Sequence, residues 1–223
     1  MVKNNDISEY KIVGTLSDTK NCSVWIASKK DPTDSNLYLI NRFLHSDENL
    51  WIFKAFFSYY SSEKKISSMV NFFALGGSFY IIFKYYSAQC ITEKYNSEET
   101  NETFETRCDI LSDIILKIDS LHTLPIPALV SASNPENLCI DNEGKIHVIY
   151  SIDKINEKDS MADVYKNIAS IIKLLLKNEF SNKYDKHLPL IIEKCENNIY
   201  KSIPELIVDL ENAEKKCHDN NLK

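Results

Sequence analysis

The chain has 223 residues, enough for one domain or two small lobes around a real core, and its 43% hydrophobic and 26% charged residues are those of a globular protein. A formal net charge of −6 argues against general affinity for nucleic acid or an anionic membrane. Only four glycines occur, few for a protein that cradles phosphates on glycine-rich backbone.

Six cysteines, Cys22, Cys90, Cys108, Cys139, Cys195 and Cys217, form no C-x-x-C pair. Reduced, mostly buried thiols are therefore expected, not a disulfide framework or a zinc site. The opening run MVKNNDISEYK has no apolar leader, and no stretch reaches about 18 apolar residues. A cytoplasmic protein without membrane insertion is expected.

In chain order, YKIVG (10–14), CSVWIAS (22–28) and NLYLINRF (36–43) are rich in β-branched and aromatic residues and predict an antiparallel meander. The stretches 16–21 and 29–35 between them read as turns, the second around Pro32 and its aspartates. Residues 47–62 predict a helix with Leu50, Phe53, Phe57 and Tyr60 on its apolar face and Asp47 and Glu48 at its start. MVNFFAL (69–75) and SFYIIFKYY (78–86) predict a hairpin closed by Gly76-Gly77.

The pattern then changes. Residues 95–103 read as a polar loop or helix lead-in. A buried amphipathic helix is expected over 104–121, with Ile110, Leu111, Ile114, Ile115, Ile118 and Leu121 along it. The two prolines of LPIPAL (124–129) are expected to take the chain out of helix. NLCID and KIHVIYS predict a second hairpin around Asn142-Glu143-Gly144. Helices follow at 162–177, carrying Val164, Ile168, Ile171, Ile172 and Leu175, at LPLIIEKCE, and from a capping box at Ser202–Glu205 to about Lys216. The order predicts an α+β fold in two lobes: an antiparallel-sheet lobe with one helix over 1–88, and a reduced, mostly helical lobe over 89–223.

This order of elements resembles the protein kinase-like fold over nearly the whole chain, and the family's motifs can be placed one by one. The G-x-G-x-x-G-x-V loop falls on Ser17–Val24, where Val24 is kept and all three glycines are missing. The V-A-I-K strand falls on Tyr38-Leu39-Ile40-Asn41, so Asn41 replaces the phosphate-binding lysine. Arg42, next to it, points to the opposite strand face. The helix at 50–60 has no acid to pair with such a lysine.

H-R-D-L-K-P-E-N falls on Val130–Asn137. Pro135-Glu136-Asn137 is intact, but Ala132 replaces the catalytic aspartate and cannot act as a base. D-F-G falls on Tyr150-Ser151-Ile152, so Tyr150 replaces the metal aspartate, and Asp153 comes three residues later. About ten residues lead from there to Asp163-Val164-Tyr165, which is similar to the start of the next helix, so the activation segment and its A-P-E motif are missing. The stretch LPIPALVSASNPENLCID with IHVIYSID also resembles compact pseudokinases of low-GC Gram-positive bacteria. More distantly, it resembles the cytosolic pseudokinase domain of a type VII secretion subunit, which continues into a transmembrane helix.

With these losses the resemblance implies a catalytically inactive pseudokinase that acts as a cytoplasmic protein-interaction or scaffold module. It implies no cofactor, no metal and no bound nucleotide; the partner is a protein. Two alternatives stay open: a nucleotide-binding switch, and an unconventional ATP-dependent transferase with a rebuilt site. The second needs acids facing the cleft, and those near it are Glu136, Asp141 and Asp153. Arg42 and Asn137 are the remaining candidates for holding phosphate or metal, with salt-bridging and loop-capping as their ordinary roles. His122 and His147 read as structural, and the acidic stretch 97–102 as solvated. The run Phe56-Phe57-Ser58-Tyr59-Tyr60 cannot point every ring inward and is a candidate partner surface.

Overall fold

The computed structural model describes residues 7–60, 68–96, 102–153, 155–176 and 187–221. Its first half is an antiparallel sheet of five strands: β1 (Tyr10–Asp18), β2 (Cys22–Lys29), β3 (Leu37–Leu44), β4 (Met69–Leu75) and β5 (Ser78–Tyr85), in the order β1-β2-β3-β5-β4. Helix α1 (Leu50–Tyr60) lies between β3 and β4 in sequence. β1 extends through Asp18, so residues 16–18 are strand where a turn was expected; Ser17 and Asp18 pair with Val24 and Ser23.

The second turn is held by its aspartates. Asp31 accepts from the Thr33 backbone N–H at 2.9 Å, and Asp34 accepts from the Tyr38 hydroxyl at 2.6 Å and pairs with Lys29 at 3.1 Å. At the β4–β5 turn Gly76 and Gly77 have φ of 57° and 74°. Positive φ at both central residues is the hairpin turn whose twist matches the flanking strands.

Each face of the sheet is apolar. Tyr38, Ile40, Tyr80 and Ile82 belong to a cluster on one face, while Val24, Leu39, Phe43, Ile81 and Phe83 face the rest of the molecule. Burial on both sides explains why β3 and β5 are nearly continuous hydrophobic runs. On α1 the buried positions are Ile52 and Phe56, while Phe57 is 52% exposed, so the inward face is rotated from the expected Leu50–Phe53–Phe57–Tyr60 line. Phe53 sits between the two directions, 4.4 Å from Phe79 and 5.8 Å from Phe57 between ring centroids. Residues 61 and 62 of the expected helix lie outside the described residues.

The second half begins with β6 (Gln89–Cys90) and helix α2 (Ile91–Asn96), followed by α3 (Phe104–Ser120), α4 (Ile126–Ser133), a 3-10 turn at Pro135–Asn137, β7 (Leu138–Ile140) and β8 (Ile146–Val148). β6, β7 and β8 form a second antiparallel sheet. Then come α5 (Met161–Leu176), α6 (His187–Glu196) and α7 (Ile203–Asn221). α7 runs five residues beyond the expected end at Lys216. Its capping box is partly formed: the Glu205 N–H reaches the Ser202 hydroxyl at 3.4 Å, but the Glu205 carboxylate takes the Lys201 N–H, not that of Ser202.

Two short helices were not expected from the sequence. α2 occupies part of what reads as a lead-in. Of the acidic stretch 97–102 only Glu102 is described, and it is not simply solvated: it pairs with Lys94 at 2.7 Å and accepts from the Tyr95 hydroxyl. α4 forms in spite of its prolines because Pro125 is its N-cap and Pro127 falls in its first turn. First-turn N–H groups have no partner inside a helix, so proline loses nothing there.

One core joins both halves. Val24, Leu39 and Phe83 from the sheet are continuous with Ile114, Ile115 and Ile118 of α3, Ala132 of α4, and Ile168, Ile171 and Ile172 of α5.

A Cβ added at Gly77 would meet no atom within 4 Å, so its φ of 74° is the whole penalty for substitution. Gly77→Ala should therefore lower stability by about 1–2 kcal/mol in urea titration; an unchanged midpoint would show that the turn reshapes freely.

Candidate functional site

The site is the junction between the five-stranded sheet and the segment that follows β8. On β3, Leu39 and Asn41 pair across the sheet with Phe83 and Ile81, and Asn41 also pairs with Val24 of β2. Directly opposed residues share a face, so these side chains all point toward the second half. Asn41 is fully buried. Its amide nitrogen donates to the Tyr150 carbonyl at 3.0 Å, and its amide oxygen accepts from the Ile152 N–H at 2.9 Å. One carboxamide thus closes a two-bond clamp on the backbone where the kinase pattern has its metal aspartate.

The same segment is held from below. The Ser131 hydroxyl, near the end of α4, donates to the Ser151 carbonyl at 3.0 Å. The Asn137 amide donates to the Ser131 carbonyl at 2.8 Å and lies 3.2 Å from its hydroxyl. Asn137 therefore secures the end of α4. The Tyr150 ring stacks on Phe83, with centroids 4.7 Å apart and planes 19° apart. Val24, Leu39, Phe83, Leu138 and Tyr150 are buried in one continuous hydrophobic cluster, which joins sheet and hairpin.

Beyond the Asn41–Tyr150 contact, the other positions aligned with the kinase pattern serve packing or local structure. Ala132 lies in α4 and is fully buried in the core. The first half of the expected catalytic-loop register, Val130–Ser133, therefore falls on a helix, and the rest on a 3-10 turn. Arg42 points away from Asn41, and its Nε donates to the Ser78 hydroxyl at 3.2 Å. The turn aligned with the glycine loop is closed by its own groups. The Thr19 N–H donates to the Cys22 carbonyl at 2.7 Å, and the Cys22 N–H donates to the Thr19 hydroxyl at 3.0 Å. The Ser23 hydroxyl donates to Asp18 at 2.6 Å. Positive φ at a non-glycine residue occurs only at Asn198 among the described residues, so this turn forms without glycine.

The acids do not converge. Glu136 is exposed, and Asp141 is engaged in its own hairpin. Asp153 accepts from the Ser151 hydroxyl. Its charge reaches Cys22, whose thiol burial, chiefly, and that carboxylate push up to about 12. Among the described residues no group of three or more His, Cys, Asp or Glu side chains could hold a metal ion. His147 is buried, bonds Asp141 at 2.7 Å and stacks on Tyr86 at 4.0 Å between centroids. His122 is exposed, and its ring lies 2.8 Å from the Asp119 carbonyl. In the aromatic run of α1, Phe56 points inward and Phe57 outward; the side chains of Tyr59 and Tyr60 lie outside the described residues.

Sequence reasoning missed Ser131, Phe83 and Leu39. Leu39 had a signal, since it stands at the alanine of V-A-I-K and fills more volume there. Ser131 had none, because its partner is the Ser151 carbonyl twenty residues away.

No family model and no curated protein matches this sequence. Solved structures do match. A pseudokinase in its apo form aligns with a TM-score of 0.62 at 11% identity, over 91% of this chain and 88% of that one. The PknI kinase domain of Mycobacterium tuberculosis aligns in two mutant forms with TM-scores of 0.62 and 0.64 at 12% identity, over 93% of this chain and 96% of that one. The chain has a protein kinase-like fold. Its two lobes are the five-stranded sheet with α1 and the mostly helical half that follows.

The clamp sets a stability expectation. Asn41→Ala leaves a buried carbonyl and a buried N–H unpaired, at about 1–3 kcal/mol each. Asn41→Lys introduces the residue of the kinase pattern but offers only donors, so the Ile152 N–H stays unpaired. Both variants should lose about 2–4 kcal/mol in chemical denaturation; a loss below about 0.5 kcal/mol would mean that the bonds are replaced by water.

Asp141 has a second expectation. The His147 hydrogen bond, then the Lys145 and Glu143 backbone N–H groups, hold its carboxyl below the ordinary 3.8. A folded value below the unfolded one contributes stability above about pH 4 that is lost as pH falls through the folded value. The acid limb of the stability curve should be shallower in Asp141→Asn than in the wild type; parallel limbs would remove this role.

Proposed function

We propose that the chain is a catalytically inactive pseudokinase that serves as a cytoplasmic protein-interaction module, with lobes dividing after residue 88. The observation that carries this reading is the Asn41 clamp. Phosphoryl transfer needs a cation on the phosphates, a metal on its ligands and an oriented hydroxyl. Here the lysine position is spent on the backbone of Tyr150 and Ile152. The metal position is an aromatic ring against Phe83, and the base position is a core methyl group on α4.

An interaction role is supported by apolar side chains left at the surface: Phe57 on α1, and Leu190, Ile199 and Val208 about the α6–α7 region, each more than half exposed. Large exposed side chains mark docking surfaces when they lie together. Among the described residues no helix is long and apolar enough to cross a membrane.

The test is thermal unfolding with millimolar ATP, with and without magnesium or manganese. A nucleotide at a hundredfold excess over its dissociation constant would stabilise by about 2.7 kcal/mol and raise the midpoint by roughly 5–10 °C. No shift is expected. A metal-dependent shift would overturn the reading in favour of a rebuilt transferase site, and a metal-independent shift in favour of a nucleotide switch.

A further inference from the structure

Cys90 and Cys139 are directly opposed across β6 and β7. The type of pair follows from the neighbouring ladder. The Asp141 N–H donates to the Lys145 carbonyl and the Ile149 N–H to the Asn137 carbonyl, so the odd-numbered residues of β7 turn their backbone groups toward β8. Cys139 lies between them and pairs with His147. Its N–H and C=O thus point away from β6, and Cys90–Cys139 is a non-hydrogen-bonded pair. Such pairs bring their Cα atoms to about 4.5 Å with side chains on one face, within the roughly 4.4–6.8 Å range of disulfides.

The two thiols differ in access. Cys90 is partly exposed and Cys139 is 1% exposed. The Cys90 sulfur lies 3.0 Å from the Thr92 hydroxyl and 3.3 Å from the Glu136 carbonyl. Burial, then the Cys90 charge, the Glu93 charge and a hydrogen bond with Cys90 push the Cys139 thiol up to about 12. Cys22, Cys108 and Cys195 are buried in the core.

We propose that Cys90 and Cys139 form a reversible disulfide, with Cys90 as the entry thiol and Cys139 as the resolving thiol. The oxidant class is a small disulfide such as oxidised glutathione. The Cys90 thiolate attacks one sulfur of glutathione disulfide, the S–S bond breaks, and one glutathione thiolate leaves. Cys139 then gives its proton to solvent, its thiolate attacks the Cys90 sulfur, and the second glutathione thiolate leaves. Two cysteine thiols are oxidised and one glutathione disulfide is reduced to two thiols.

The bond would cross-link the strand that follows β5 to the hairpin that leads to Tyr150, closing a loop that contains α2, α3 and α4. It would thus tie the point where the chain enters the second half to the hairpin that leads to Tyr150, whether or not a nucleotide binds at the junction.

The test equilibrates the full chain with glutathione buffers of increasing oxidised fraction, traps free thiols by alkylation and maps peptides by mass. In oxidising buffer the expected result is a Cys90–Cys139 linked peptide, with a melting temperature roughly 5–10 °C higher that dithiothreitol reverses. Cys90→Ser should show neither change. Glutathione held stably on Cys90, a link through any other pair, no oxidation at all, or the same thermal shift in Cys90→Ser would each overturn the proposal.

Discussion

The two hydrogen bonds of the Asn41 carboxamide are the constraint on which the junction of the lobes depends. A carboxamide offers a donor and an acceptor a short distance apart, and a backbone segment offers the complementary pair. Placed on a fully buried position of β3, Asn41 meets the Tyr150 carbonyl and the Ile152 N–H across 109 and 111 residues of sequence. Asn41 is fully buried, so breaking the pair leaves both backbone groups unsatisfied away from solvent.

The other features of the junction follow from that geometry. With the backbone at 150–152 held against β3, the Tyr150 ring is carried onto Phe83 and becomes core rather than surface. Ser131 then has the Ser151 carbonyl within reach, and Asn137 closes back onto Ser131. The α4 helix, in place of an extended loop, supplies that serine and buries Ala132. The four sites that look like losses against the kinase pattern, Asn41, Ala132, Tyr150 and the turn after β1, each take part in packing or hydrogen bonding. A change that removes chemistry and adds a structural bond is hard to reverse by a single substitution.

Much of the architecture was legible from pattern alone. β3 and β5 could be read because β-branched and aromatic residues run along them. The β4–β5 turn could be read because two consecutive glycines accept positive φ. α3 and α5 could be read because their apolar residues repeat at the helical period. That Asn41, Ala132 and Tyr150 stand in the order of the kinase motifs was readable as a resemblance. What each does there was not. Alignment places Ala132 in a loop, and it sits in a helix whose prolines fall where proline is harmless. The inward face of α1 was misjudged because nearly every residue of LWIFKAFFSYY is apolar, so periodicity cannot select one face.

By itself the sequence determined the elements with strong local signals and their two-lobed order. These follow from residue type and short spacing. Only the tertiary structure decided that Asn41 grips the Tyr150–Ile152 backbone, that Tyr150 covers Phe83, that Ser131 joins α4 to that segment, and that Cys90 opposes Cys139. Each of these joins residues that are distant in the chain. Their energies depend on burial and on angles set by the assembled sheet and helices, and a linear pattern of residue types carries neither.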